Sequence, residues 1–208
     1  MKVATVIITR NDSFNVKTLH TMLHSNIICM KYGHQHGVYF VKDDPHEIRD
    51  SVQRLLKTFE RIVFYGYSVH IDDQTIVQMY GPFNNGTQVM IAPSVVHGIN
   101  WDMFKEKVKS GNTEPDHQKG LDFDTEVGNK VKDSFYNVVK STPCVWALET
   151  KPVKKKCKLP LPIKNSEWIS HFKSCGVNVH AYTKAVVTVT HSHECIGNII
   201  QSFGVKAN

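Results

Sequence analysis

Apolar positions change period several times along the chain, and the changes mark out its elements. Residues 2–9 (KVATVIIT) form an unbroken, β-branched run, which predicts a strand buried on both faces. Arg10-Asn11-Asp12-Ser13 ends it, and Asp12 or Ser13 is placed to cap a helix with an apolar stripe of Val16, Leu19, Leu23 and Ile27. Residues 37–42 (GVYFVK) repeat the strand signal and stop at Asp43-Asp44-Pro45, where Asp44 suits a cap and Pro45 a first helical turn. Ile48, Val52, Leu55, Leu56 and Phe59 then recur at helical spacing, and residues 61–67 (RIVFYGY) give a third strand. Three strand–helix steps in succession predict an α/β protein with a mainly parallel central sheet flanked by helices.

Farther on the alternation loosens. Asp72 or Asp73 opens a short helix to Tyr80, residues 88–92 read as a strand, and residues 101–108 as a helix. Residues 110–120, rich in Gly, Asn, Pro, Asp and Lys, predict a long loop. Asp124 is then expected to open a helix reaching Val131. Residues 138–148 are strand-like around Pro143, residues 166–174 helical up to Gly176, residues 177–190 β-branched, and residues 193–202 helical again. No internal repeat and no linker composition appears, so one domain is expected.

Composition narrows the class. At 208 residues, 41% hydrophobic and 21% charged, the chain is globular rather than disordered. No apolar run approaches the about 20 residues of a membrane span, and Met1-Lys2 leads directly into a strand; a cytoplasmic protein without stable membrane insertion is expected. The net charge of +6 permits an anionic partner without choosing one. Five lysines crowd into residues 151–158, read as a solvated loop. With no aromatic–basic module around them, nucleic acid is not an expected partner. The five cysteines are widely spaced, with no C-x-x-C, and read as free thiols of a reducing compartment.

An open α/β sheet binds ligands beyond the carboxyl ends of its strands. Neither a GxGxxG nor a GxxxxGK[ST] is present, which disfavours a dinucleotide fold and a P-loop. The strand ends instead carry Thr9, Arg10 and Asn11, then Asp43 and Asp44, then Tyr67 and Ser68. Singly, several of these serve equally well as helix caps. As a set at successive strand ends they suit a nucleotide held by side chains, with Arg10 for phosphate and a carboxylate for a base N–H or a ribose hydroxyl.

The order VIITRN, FVKDD, RIVFYGYSVHIDD resembles the GT-A glycosyltransferases, which use nucleotide sugars. TPCVWALETKP, LPIKNSEW and VTVTHSHECIGN are similar to the glycosyltransferase domains encoded by large DNA viruses of algae. The resemblance implies a GT-A-like sheet with a smaller acceptor-side β region, a nucleotide-binding part over about residues 1–96 and an acceptor part over about 97–208. It implies transfer of a sugar from a nucleoside diphosphate, UDP above all, to a hydroxyl of a glycan or glycoprotein. A Mn²⁺ or Mg²⁺ held by a DxD is also implied, yet the matching place, Gly66-Tyr67-Ser68, has no carboxylate. Asp72 and Asp73, also readable as helix caps, and His191 and His193, the latter also readable as opening the last helix, are the substitutes on offer; without them Lys and Arg would hold the diphosphate.

Inverting members place [ED]-D-x-E near the acceptor, and Phe123-Asp124-Thr125-Glu126 matches its last three places. Asp124 is the implied base, with Glu126 and Asp122 beside it. His97, Trp101 and Trp146, with Glu149 near the last, are candidates for contact with the donor or acceptor sugar. A retaining enzyme of the same fold and a binding module without catalysis are the rival readings.

Overall fold

The structure is a computed structural model and describes residues 1–10, 15–96, 99–114, 116 and 118–190. The strands are β1 (Lys2–Thr9), β2 (Gln35–Lys42), β3 (Arg61–Tyr65), β4 (Val69–Ile71), β5 (Val89–Ile91), β6 (Thr125–Lys132), β7 (Phe135–Ser141), β8 (Val145–Glu149), β9 (Val179–Tyr182) and β10 (Val187–Val189). The helices are α1 (Val16–Lys31), α2 (Pro45–Thr58), α3 (Asp73–Tyr80), α4 (Trp101–Lys109), α5 (Thr150–Lys156) and α6 (Trp168–Ser174), the last preceded by a 3₁₀ turn over Asn165–Glu167.

Eight strands form one sheet in the order β2-β1-β3-β8-β5-β9-β7-β6, and β4 pairs with β10 in a separate two-stranded ribbon. Within the large sheet only β8 and β7 run against the other six. The carboxyl ends of β1, β2, β3 and β5 therefore share one edge. Alternation in β1 divides the core: Ala4, Val6 and Ile8 face α2, α5 and α6, whereas Val3 and Ile7 face α1 and α3. Each face is a continuous apolar cluster, as expected of a sheet covered by helices on both sides.

The early elements follow the hydrophobic pattern. Asp44 caps α2, its Oδ1 accepting from His46 N (3.0 Å) and Glu47 N (2.9 Å), with Pro45 in the first turn. Helix α1 departs from it. Its cap is Asn15, outside the predicted pair, and its buried positions are Thr18, Thr21, Ser25 and Cys29. Val16, Leu23 and Ile27, three of the four residues of the expected stripe, are exposed. Small side chains let α1 approach β4 and α3, and the buried hydroxyls are satisfied: Thr18 Oγ1 donates across to Val69 O of β4 (2.8 Å), and Ser25 Oγ donates within α1 to Thr21 O (2.8 Å).

Two further expectations are corrected. The segment after Asp124 is strand β6, not a helix, because the two-residue Asp133-Ser134 turn folds it back on β7 as a hairpin. Asp133 takes φ 51°, the left-handed geometry such a turn requires. The lysine-rich segment is helix α5, anchored by Val153 and Cys157 in the core, rather than a loop. Among the described residues, no helix is long and apolar enough to cross a membrane.

Candidate active site

At the edge where β1, β2 and β3 end, Asp43 N donates to Thr9 O (3.0 Å), locking the two strand exits together. Arg10 Nε then reaches Asp43 Oδ2 at 2.6 Å, and its guanidinium lies 4.7 Å from the centre of the Tyr67 ring. Arg10, Asp43 and Tyr67 thus form one cluster open to solvent: a cation, a carboxylate and an aromatic face. Thr9 and Ser68 are buried beneath it. Thr9 Oγ1 donates to Val41 O (3.3 Å), and Ser68 sits at φ 55° with its carbonyl accepting from Thr190 N (2.9 Å). Asp44 is occupied as the cap of α2. Asn11 lies outside the described residues.

The next exits are welded by close backbone contact. Gly66 N donates to Cys144 O (2.7 Å), and a Cβ on Gly66 would meet Cys144 Cβ at 3.0 Å. Beside Cys144 the chain leaving β5 zips against the chain entering β6: Val96 N to Asp122 O (2.9 Å), Asp124 N to Ser94 O (2.9 Å), with Val95 bridging Phe123. This zipper carries Asp124 to the carboxyl edge of the sheet. Its Oδ1 accepts from Ser94 N (3.1 Å) and Thr125 Oγ1 (2.7 Å), and its Oδ2 from Ser94 Oγ. A carboxylate has roughly four lone-pair sites. Three are filled here, leaving one on Oδ2.

Asp122, Asp124 and Glu126 line a single cavity of about 340 Å³ together with Val96, Phe123, Lys140 and Thr142. The three acidic candidates are thus brought together. Lys140, directly across the hairpin from Glu126, adds a cation that the sequence pattern did not single out. Ser94 and Cys144 were also missed. Ser94 carries no sequence signal; Cys144 stands next to Pro143 at a strand entry, a place that suggests only a turn. Cys144 Sγ lies 3.1 Å from Ser94 Oγ. Burial pushes its thiol up to about 11; the Ser94 hydrogen bond opposes this and the Asp124 charge reinforces it. It is a neutral thiol at pH 7, not a nucleophile.

The candidates for a divalent ion are distributed differently. Asp72 Oδ1 accepts from Thr75 N (3.2 Å) as the cap of α3. Asp73 Oδ1 is 2.6 Å from His24 Nδ1, in the middle of α1 and back from the strand ends. One carboxylate is spent on a cap and the other on a histidine, and Gly66-Tyr67-Ser68 supplies none. These residues do not fit a Mn²⁺ or Mg²⁺ bridging a diphosphate at the sheet edge, which calls for convergent oxygen ligands. His191 and His193 lie outside the described residues.

Of the sugar-contact candidates, Trp101 is 61% exposed at the start of α4, with its ring edge-on to Phe104 at 6.0 Å. It offers a free aromatic face. Trp146 is withdrawn into the core, 3% exposed and stacked on Phe64 at 5.0 Å, because its strand is buried on both sides. Glu149 ends the same strand at the opposite edge of the sheet, paired with the buried Arg61 at 3.3 Å. His97 lies outside the described residues.

Comparison with protein-family models and with curated proteins finds no match. Solved structures do match. Protein A197 from STIV superposes with a TM-score of 0.58 at 11% identity, over 92% of this chain and 87% of that one. The catalytic domain of Drosophila β1,4-galactosyltransferase 7, in complex with xylobiose, superposes with a TM-score of 0.50 at 11% identity, over 93% of this chain and 72% of that one. A mutant of the same Drosophila enzyme, with manganese, UDP-Gal and xylobiose, gives 0.48 at 10% identity over 94% and 73%. The mainly parallel α/β sheet that the strand–helix order predicts, in the GT-A-like form that the resemblance implies, is the fold observed.

Proposed function

We propose that this chain is a glycosyltransferase that moves a sugar from a nucleoside diphosphate, UDP in the first instance, to a hydroxyl of a glycan or glycoprotein. The observation that carries the reading is the cavity shared by Asp122, Asp124 and Glu126, set on the same sheet edge as the Arg10–Asp43–Tyr67 cluster. A base-recognising cluster and an acidic cavity on one edge are what a donor and an acceptor need. The shared fold with the Drosophila enzyme and the segments resembling algal-virus glycosyltransferases support it.

In this reading the base of the nucleotide lies on Tyr67, with Asp43 accepting from a base N–H or ribose hydroxyl and Arg10 facing the phosphates. Asp124 Oδ2, with its one unfilled lone-pair site, takes the proton of the acceptor hydroxyl as that oxygen attacks the anomeric carbon. Ser94 and Thr125 hold the carboxylate still, so orientation is built in before substrate arrives. The displacement is single and inverting. Lys140 offers its ammonium to the charge developing on the leaving diphosphate, and Trp101 offers a face to the acceptor sugar. A second reading, a nucleotide- or glycan-binding module without catalysis, is favoured by the lack of carboxylates at Gly66-Tyr67-Ser68.

A thermal-shift screen of nucleoside diphosphates and their sugars, followed by an assay of diphosphate release, tests both. Binding with release supports the enzyme, binding without release the module. A screen in which no nucleotide at millimolar concentration raises Tm would remove both.

A further inference from the structure

On the sheet face covered by α2, α5 and α6, three side chains from two helix ends converge. Cys157 follows the last residue of α5, and His171 and Cys175 stand one turn apart at the end of α6. One ligand atom from each lies within 4.8 Å of the others, and Cys175 Sγ is 3.9 Å from His171 Nε2. Among the described residues this is the one group of three or more His, Cys, Asp or Glu side chains that meets at such range. We propose that Cys157, His171 and Cys175 bind one Zn²⁺.

The chemistry of the set selects the ion. Two thiolates and an imidazole are soft to borderline ligands, which suit zinc and not Mn²⁺ or Mg²⁺. With Zn–S near 2.3 Å and Zn–N near 2.0 Å, tetrahedral ligand atoms sit about 3.5–3.8 Å apart. The observed spacing needs only rotamer adjustment to close. The fourth position falls to water, because Cys175 and His171 are partly exposed whereas Cys157 is buried. On binding, each thiol gives its proton to solvent and the sulfur lone pair to the metal, with no redox change.

The surroundings hold the set in place without the ion. Cys157 N donates to Val153 O (2.8 Å), and Cys175 N to His171 O (3.1 Å). Lys156 Nζ bridges Gln88 Oε1 (2.9 Å) and Gly176 O (2.5 Å), bracing the same two helix ends from the neighbouring positions. Cys157, Phe172 and Val177 belong to one apolar cluster, and Cys175 packs against it. The ion would clip the end of α5 to the end of α6, which is a structural role.

The test uses the full chain, purified with reductant and stripped of metal, titrated with Zn²⁺ and separately with Co²⁺. Native mass spectrometry is expected to show one zinc per chain, and the cobalt form a thiolate-to-cobalt charge-transfer band. At free zinc about 100-fold above Kd, Tm is expected to rise by about 5–10 °C. Cys157→Ser, Cys175→Ser and His171→Ala should each weaken zinc by more than about 100-fold, beyond the cost of losing an outer-layer partner, while Cys144→Ser binds as the parent does. The cobalt spectrum of the parent stands even if a variant fails to fold. A parent chain with all thiols free that takes up no cobalt overturns the proposal. So does a Cys157–Cys175 disulfide in freshly isolated protein, or zinc uptake unchanged by the three substitutions.

Discussion

Asp124→Asn separates a catalytic carboxylate from a structural one. In the parent, Asp124 receives three hydrogen bonds, from Ser94 N, Ser94 Oγ and Thr125 Oγ1. Bonds to a charged acceptor contribute about 1.5–3 kcal/mol and neutral ones about 0.5–1.5. The amide oxygen keeps the Ser94 N and Thr125 bonds, and the hydroxyl of Ser94 can turn to accept from the new NH₂ group. At about 1 kcal/mol lost per bond, the expected cost to the fold is about 3 kcal/mol, a fall in Tm of about 6–12 °C. Losing a general base costs about 10²–10⁴ in rate, or about 2.7–5.4 kcal/mol of barrier. Release of the nucleoside diphosphate, measured with the best-binding donor and fastest acceptor at least about 15 °C below Tm, should fall by that factor, with donor affinity unchanged. Asp124→Ala should lose the rate and further stability, because Ser94 N is left without its partner. If Asp124→Asn turns over within about threefold of the parent, Asp124 is a brace for the β5–β6 zipper and not the base.

Three other outcomes are expected. Tyr67→Ala should weaken UDP about tenfold or more by removing the stacking face, read by calorimetry, and unchanged affinity would move the base away from the Arg10 cluster. Asp72→Ala should lower stability by about 1 kcal/mol through loss of the α3 cap, while UDP affinity with and without Mn²⁺ stays put; a tenfold loss confined to the Mn²⁺ arm would restore Asp72 as a metal ligand. Burial depresses the imidazoles of His36 and His180 below their ordinary 6.5, so the unfolded chain binds more protons than the folded one just below that pH. Their contribution is complete above about pH 6.5 and is lost as the pH falls toward the folded values. Tm should drop from pH 7.5 to pH 5, less steeply in His180→Gln, and an identical slope in that variant would refute the assignment.

What the linear chain determines is the pattern that burial imposes locally. Strands β1 and β3 and helix α2 are legible because a central strand must be apolar on both faces, and Asp44-Pro45 is a complete cap signal within two residues. The grouping of Asp122, Asp124 and Glu126 is legible too, since neighbours in sequence stay neighbours in space. Helix α1 misleads because its buried face is chosen by how closely β4 and α3 approach it, and hydroxyls satisfied across that gap outrank the apolar stripe. The helix expected after Asp124 fails for the same reason. A mixed segment at the sheet edge takes its conformation from the hairpin partner, and only pairing with β7 reveals it. Tertiary structure likewise withdraws Trp146 into the core and seats Ser94 under Asp124 from 30 residues away. It also brings Cys157 to His171 and Cys175. Such meetings depend on where separate elements end in space, which no local spacing encodes.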